Sequence, residues 1–127
     1  MGPFDSVEDT FEALARRLNE MGIAYIHTVD HSSMGAPVVP DSMKSKIRTA
    51  FTGAIVLSGG YDQVRAEADI DAGKGDLVAF ARAFLANPDL VLRMRQKATV
   101  NMPASMDLFY TPGPEGYTDY PTLNAAG

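Results

Sequence analysis

The sequence has no cysteine, no excess of positive charge and no long apolar run. Without cysteine among its 127 residues, the chain forms no disulfide framework and no thiolate site. Its net charge of -5 argues against nucleic acid and anionic membrane surfaces, because both require clustered positive charge. No stretch approaches the roughly 18 apolar residues of a membrane span, and the acidic N-terminus carries no apolar leader. We therefore expect a cytoplasmic protein without nucleic-acid or membrane partners.

Four segments carry apolar residues at helical spacing and are predicted to be helices. The first follows Ser6 and Asp9, which are spaced like a capping box, and it ends at Gly22. Asp41 is predicted to cap the second helix. The third helix covers about 62–72, and the fourth begins at Asn87-Pro88 as N-cap and first-turn proline. The side chains expected to face inward on these last two helices are Val64 and Ala68 on the third, and Leu90, Val91 and Met94 on the fourth.

Three short, continuously apolar segments lie between these helices, at 23–29, 54–57 and 77–80. Such segments are typical of parallel strands that are buried on both faces. Alternating helices and strands predict right-handed βαβ units in an α/β fold. Because a (β/α)8 TIM barrel needs about 250 residues, we expect a partial barrel of three units with open sheet edges. Residues 1–100 would form these units, and 101–127 an aromatic-rich tail of the same domain.

Two segments at the carboxyl ends of consecutive strands could bind an anion. Gly59 and Gly60 follow the second strand, where their backbone N–H groups and those of the next helix could face a phosphate. Taken alone, they are better explained as a tight turn. Arg82 follows the third strand, and in isolation it is equally well explained as a surface arginine in an ion pair. Together the two segments favour a phosphate site, because the last two βα loops of a barrel often form one.

The remaining polar and aromatic residues give weaker signals. His27 and His31 do not share a helical face and have no carboxylate cluster, so no metal site is expected. No nucleophile motif, P-loop or dinucleotide fingerprint occurs. The aromatic residues of the tail either cover a core or stack on a planar ligand, and for Tyr117 and Tyr120 we expect the first.

Longer motifs resemble one enzyme family. The segments 22–27, 58–61, 76–82, 86–90, 109–110 and 115–121, which include AFARAFLANPDL and EGYTDYP, resemble the Old Yellow Enzyme family in order and spacing. The N-ethylmaleimide reductase and 12-oxophytodienoate reductase branch is the most similar. The resemblance implies a (β/α)8 barrel with non-covalent FMN, of which these would be the sixth, seventh and eighth strands. It also implies flavin reduction by NAD(P)H, followed by hydride transfer to an activated alkene.

The resemblance assigns roles to some residues of this chain and leaves other roles unfilled. By resemblance, the FMN phosphate would be held by Gly59, Gly60, Ala81 and Arg82, and the flavin and substrate mouth would be bordered by Phe109 and Tyr110. Ala81 departs from the family, which commonly has glycine there. The family's substrate-gripping and proton-donating residues belong to earlier strands, so no catalytic residue is expected here, and the two histidines do not replace them.

Two functions are therefore open. The chain could be the C-terminal segment of an FMN-dependent NAD(P)H ene-reductase that is inactive until a complementary barrel fragment completes it. Alternatively, it could be a non-catalytic truncated chain that forms homo-oligomers through its open sheet edges.

Overall fold

The computed structural model describes residues 6–103 and 105–125. Helices and strands alternate along the described chain until two helices follow the last strand: α1 (Val7–Glu20), β1 (Tyr25–Val29), α2 (Asp41–Ala50), β2 (Ala54–Ser58), α3 (Gln63–Asp71), β3 (Leu77–Val78), α4 (Arg82–Ala86) and α5 (Leu90–Gln96). Short 3₁₀ helices cover His31–Met34, Met106–Leu108 and Leu123–Ala125. The chain forms two compact units, of which the first ends at Ala79 and the second begins at Phe80. The expected division into 1–100 and 101–127 stays a prediction, and 126–127 lie outside the described residues.

The three strands form one parallel sheet in the order β1-β2-β3. β1 pairs with β2 from Tyr25 opposite Ala54 to Val29 opposite Ser58, and β2 pairs with β3 at Val78. Asp76 reinforces this pairing, because its carboxylate accepts from the Ile55 N–H at 2.8 Å. The parallel sheet expected from the sequence is confirmed, although β3 is two residues shorter than predicted.

The core of the first unit lies between the sheet and the helices α1 and α2. Its buried side chains are Ala15, Phe51, Ile55 and Leu57. β1 does not have the burial expected of it, because its side chains alternate between exposed and half-buried. Tyr25, His27 and Val29 form the exposed face. The prediction that β1 is buried on both faces is therefore wrong for this chain.

Helix ends and faces in the first unit differ from the sequence expectation at three places. Ser6 precedes α1 but makes no side-chain cap, and only its carbonyl accepts from Thr10. Asp41 is the first helical residue of α2 and not its cap. On α3 the inward residue is Ala66, whereas Val64 is 77% exposed. Ala68 is exposed as well, so the predicted inward face of α3 was wrong.

The second unit is held together by buried polar groups. Asn87 does not cap α5: it ends α4 and is fully buried, with its side-chain amide bonded to the carbonyls of Ala83 and Asn101. Arg93 is also buried. Its guanidinium donates to Asp89 at 2.7 Å and to the carbonyls of Thr99 and Pro121. On α5 Leu90 is buried and Met94 half-buried as expected, but Val91 is exposed.

Candidate functional site

The most constrained backbone of the first unit is the turn after β2, residues 58–61, which we call the glycine turn. Gly59 and Gly60 have φ values of 120° and 63°, a region that side chains with a Cβ rarely adopt. A Cβ on Gly59 would overlap the carbonyl oxygen of Asp30, and one on Gly60 would lie 2.6 Å from the Ser33 Cβ. The glycines are therefore required by close packing against the segment that follows β1.

That neighbouring segment is itself fixed by a buried ion pair. The Asp30 carboxylate accepts from the Lys44 ammonium at 2.7 Å and from the Ser32 N–H at 2.9 Å. The Asp30 N–H donates to the Ser58 carbonyl, which joins the ends of β1 and β2. Burial alone would raise the pKa of Asp30, but the hydrogen bonds from Lys44 and Ser32 outweigh burial and lower this pKa to about 2. Asp30 is therefore ionised whenever the fold is intact near neutral pH.

On its other side, the glycine turn contacts a cluster of side chains from α3. The Arg65 guanidinium lies 4.1 Å from the centroid of the Tyr61 ring and donates to the Gly59 carbonyl at 3.1 Å. The Tyr61 hydroxyl donates to Asp69 at 2.9 Å, and Lys74 contacts the same carboxylate at 2.7 Å. Burial, followed by this bond to Asp69, raises the pKa of Tyr61 to about 12. The phenol therefore stays protonated and keeps donating.

The glycine turn has free hydrogen-bond donors, but the start of α3 is already capped. Among the described residues, none accepts a hydrogen bond from the N–H of Gly59 or Gly60. Asp62 precedes α3, and its carboxylate accepts from the Arg65 N–H at 2.8 Å. The Arg65 N–H is therefore not available to a phosphate, and the expectation that the helix N-terminus offers other donors stays a prediction. Any anion at this turn would meet the glycine amides.

Ala81 and Arg82 lie in the second unit, at the start of α4. Ala81 has φ -82°, so its backbone does not require the glycine common in the family. Arg82 is the first residue of α4 and is exposed. Within residues 6–103 and 105–125, no carboxylate forms an ion pair with Arg82. The surface ion pair considered from the sequence is therefore absent from the described part of the chain.

The aromatic residues of the tail also lie in the second unit. Phe109 is half-buried, whereas Tyr110 is 95% exposed and has φ 67°, which is uncommon for a bulky residue. The hydroxyl of Tyr117 accepts from the Tyr110 N–H. Tyr117 is about one-third exposed, so it fixes this bend and covers a core only in part. Tyr120 is half-buried.

An apolar groove of about 500 Å³ opens on the first unit between α1, α2 and β1. Its exposed lining includes Phe11, Leu14, Tyr25 and Val29. The groove reaches Asp30, Lys44 and Arg65 at one end, so it approaches the glycine turn. The sequence did not reveal this groove, because the segment that forms β1 was expected to be buried on both faces.

Metal and membrane chemistry have no support in the described residues. No group of three or more potential metal ligands is found among them. No helix within 6–103 or 105–125 has the length and apolar character needed to cross a membrane.

Parallel β/α units with a glycine turn at a strand's carboxyl end define an α/β fold, with the local arrangement that the units of a TIM barrel have. Residues 4–101 match the model of the NADH:flavin oxidoreductase / NADH oxidase family. The chain belongs to this family, that of the Old Yellow Enzymes.

Individual relatives agree with this assignment. The chain is 38% identical to a tomato (Solanum lycopersicum) 12-oxophytodienoate reductase-like protein, over 99% of this chain and 36% of that protein. It is 39% identical to a putative 12-oxophytodienoate reductase 10 of rice (Oryza sativa subsp. japonica), over 89% of this chain and 39% of that protein. Morphinone reductase matches with a TM-score of 0.87 and 37% identity, over 96% of this chain and 33% of its own. The old yellow enzyme from Trypanosoma cruzi matches with a TM-score of 0.81 and 31% identity, over 94% of this chain and 31% of its own. The chain therefore spans about a third of the length of these relatives.

Proposed function

We propose that this chain is the C-terminal segment of an FMN-dependent NAD(P)H ene-reductase and supplies the phosphate end of the flavin site. Its strands β1, β2 and β3 would be the sixth, seventh and eighth of the barrel. The observation that carries the proposal is the glycine turn, where Gly59 and Gly60 have positive φ and their N–H groups meet no acceptor within the described residues. A backbone with free donors at the carboxyl end of a parallel strand suits a phosphate group.

The phosphate ligands would come from the ends of two neighbouring strands. Gly59 and Gly60 would donate through backbone N–H groups, and Ala81 would add another. The Arg82 guanidinium would supply charge and directional hydrogen bonds to the phosphate oxygens. Chain order supports this grouping, because β2 and β3 are parallel neighbours and Ala81 follows Val78 by three residues.

The remaining roles concern the flavin ring and the substrate. Phe109 and Tyr110 would border the flavin and the mouth through which an activated alkene enters. FMN, when bound, would supply the chemistry of hydride transfer between NAD(P)H and an activated alkene. The residues of this segment bind and orient the flavin, while the groups that grip and protonate substrate come from the other strands of the barrel.

The proposal can be tested in a chimaera in which this chain replaces the matching third of morphinone reductase. We expect the purified chimaera to be folded and yellow with bound FMN. Arg82→Ala should weaken FMN binding about tenfold, because a charge-assisted contact to phosphate is lost. Arg17→Ala, which removes an exposed arginine from α1, is the matched control and should have no effect.

A folded but colourless chimaera would contradict the proposal, and so would a chimaera that does not fold, because the segment would then not complete a barrel. Unchanged FMN affinity of the Arg82→Ala chimaera would remove Arg82 from the site.

The second candidate is a non-catalytic chain that self-associates, and the exposed face of β1 favours it. Tyr25 and Val29 are each more than half exposed beside an unpaired strand edge. We expect the isolated chain to elute as an oligomer, and Tyr25→Lys with Val29→Lys to shift it towards monomer on size-exclusion chromatography. Val64→Lys, at an exposed valine of α3, is the control. A monomer at all concentrations would exclude this candidate.

A further inference from the structure

The arginine of α3 that contacts the glycine turn, Arg65, has no role in the proposed phosphate site, although its side chain contacts three neighbours. Its guanidinium stacks on Tyr61, lies 3.8 Å from the Asp69 carboxylate, and donates to the Gly59 carbonyl. Its own N–H is bonded to the Asp62 side chain. A side chain with this many contacts has a defined direction, even though Arg65 is 42% exposed.

The bond to the Gly59 carbonyl has a consequence for the next amide. The carbonyl of Gly59 and the N–H of Gly60 belong to one planar trans peptide, so they point in opposite directions. A guanidinium that holds the carbonyl on the α3 side therefore directs the Gly60 N–H away from α3. Glycine has little conformational preference of its own, and without this bond the peptide plane could rotate.

We propose that Arg65 is a positioning residue, which fixes the Gly59–Gly60 peptide so that the Gly60 N–H faces a phosphate. This inference rests on the function proposed above and extends it to a residue that does not touch the ligand. Arg65 acts by holding the peptide plane. Its positive charge already interacts with the Asp69 carboxylate and with the Tyr61 ring.

The neighbours of Arg65 form a support that reaches from α3 to the loop after it. Tyr61 donates to Asp69, and Lys74 holds the same carboxylate. Asp69 is mostly buried. The hydrogen bond from Lys74 lowers the pKa of its carboxyl group, and the hydrogen bond from Tyr61 lowers this pKa as well. Tyr61 and Asp69 therefore hold the guanidinium over the turn.

The test uses the morphinone reductase chimaera and two ligands, FMN and riboflavin, which lacks the phosphate. Arg65→Met should weaken FMN binding about tenfold, the loss expected when one charge-assisted hydrogen bond is misdirected, and leave riboflavin affinity unchanged. Arg65→Lys, which keeps a donor, should recover part of the loss. Arg17→Met is the matched control and should bind both ligands like the unsubstituted chimaera.

A second variant separates positioning from simple charge and covers the case in which Arg65→Met does not fold. Asp69→Leu removes a negative charge near the turn, so electrostatics alone predicts tighter FMN binding. Positioning predicts the opposite, because Tyr61 and Arg65 lose their support. We expect FMN binding to weaken about threefold, a fraction of the loss at Arg65 itself. Melting temperatures establish that each variant is folded.

The outcomes distinguish this inference from the function on which it rests. If the chimaera prefers FMN over riboflavin but Arg65→Met and Asp69→Leu leave that preference unchanged, the positioning role is overturned and the phosphate site stands. The positioning role is also overturned if Arg65→Met weakens the binding of FMN and of riboflavin equally, or if the Asp69→Leu chimaera binds FMN more tightly. If the unsubstituted chimaera shows no preference for FMN, both proposals fall.

Discussion

Gly59 and Gly60 serve both the packing of the first unit and the proposed site. Their positive φ values let the backbone pass close to Asp30 and Ser33, and the same bend leaves two amides without a partner in the described chain. The sequence predicted the turn, because two glycines after an apolar strand are a clear signal. It could not predict the close approach of Asp30, which depends on residues 29 positions apart.

Replacing Gly59 tests how closely the turn is packed. Gly59→Ala should lower the free energy of unfolding by about 3 kcal/mol or more, because the added methyl overlaps the Asp30 carbonyl at an unfavourable φ. Gly73→Ala is the matched control: its φ is 71° but nothing lies within 4 Å, so only about 1 kcal/mol of backbone strain is expected. Urea unfolding of the two variants gives the comparison. Equal losses would mean that the contact with Asp30 is not close.

Asp30 gives the fold a specific acid sensitivity. Its pKa is lowered from 3.8 to about 2, so its ion pair with Lys44 contributes fully above 3.8 and is lost as pH falls through 2. Asp30→Asn should lower the melting temperature at neutral pH, and the difference from the unsubstituted chain should disappear as the pH approaches 2. Asp71→Asn, at an exposed carboxylate of α3, should show no such trend. A constant difference across this range would contradict the role of the ion pair.

At the scale of the elements, the sequence predicted the order of the helices and strands better than it predicted which face of each helix is buried. The strand segments and the parallel connection were clear, because continuous apolar runs between helical segments have few other arrangements. The faces of α3 were assigned wrongly, since Val64 and Ala68 are exposed while the small Ala66 is inward. A short helix with few apolar residues has a weak period, so packing decides its rotation.

Buried polar residues in the second unit were missed for a related reason. Asn87 was assigned to a helix cap, and Arg93 was given no role in packing; both residue types are usually at the surface. In the structure they bind carbonyls and amides of the irregular tail, which has no backbone ladder of its own. No local pattern shows which tail groups need a partner.

Arg93 should therefore be the residue on which the tail depends. Arg93→Met removes the donor to the Thr99 carbonyl and one of the donors to the Pro121 carbonyl and to the Asp89 carboxylate, which costs about 3 kcal/mol. We expect faster hydrogen exchange at Leu123, whose N–H donates to Asp89. Arg95→Met, at an exposed arginine of α5, is the control. Equal exchange rates in the two variants would show that Arg93 does not hold the tail.

At the scale of the whole molecule, the chain has about a third of the length of its relatives, and apolar side chains are exposed on its surface. The exposed face of β1 consists of residues that were expected to be buried, and these residues also line the apolar groove beside α1. The sequence pattern is that of a strand inside a barrel, whereas the described chain forms three strands. The family and the barrel type could be predicted from motifs, because AFARAFLANPDL and EGYTDYP are long. The exposure of β1 could not be predicted from the sequence, because the burial of a strand depends on the elements that pack against it.

In the proposed function, this segment binds the phosphate of a flavin through the glycine turn and Arg82. This binding is tested by comparing the dissociation constants of FMN and riboflavin in the morphinone reductase chimaera that carries this chain. We expect FMN to bind at least about a hundredfold more tightly, because several charge-assisted bonds reach its phosphate alone. Equal affinity for the two flavins in a folded chimaera would contradict it.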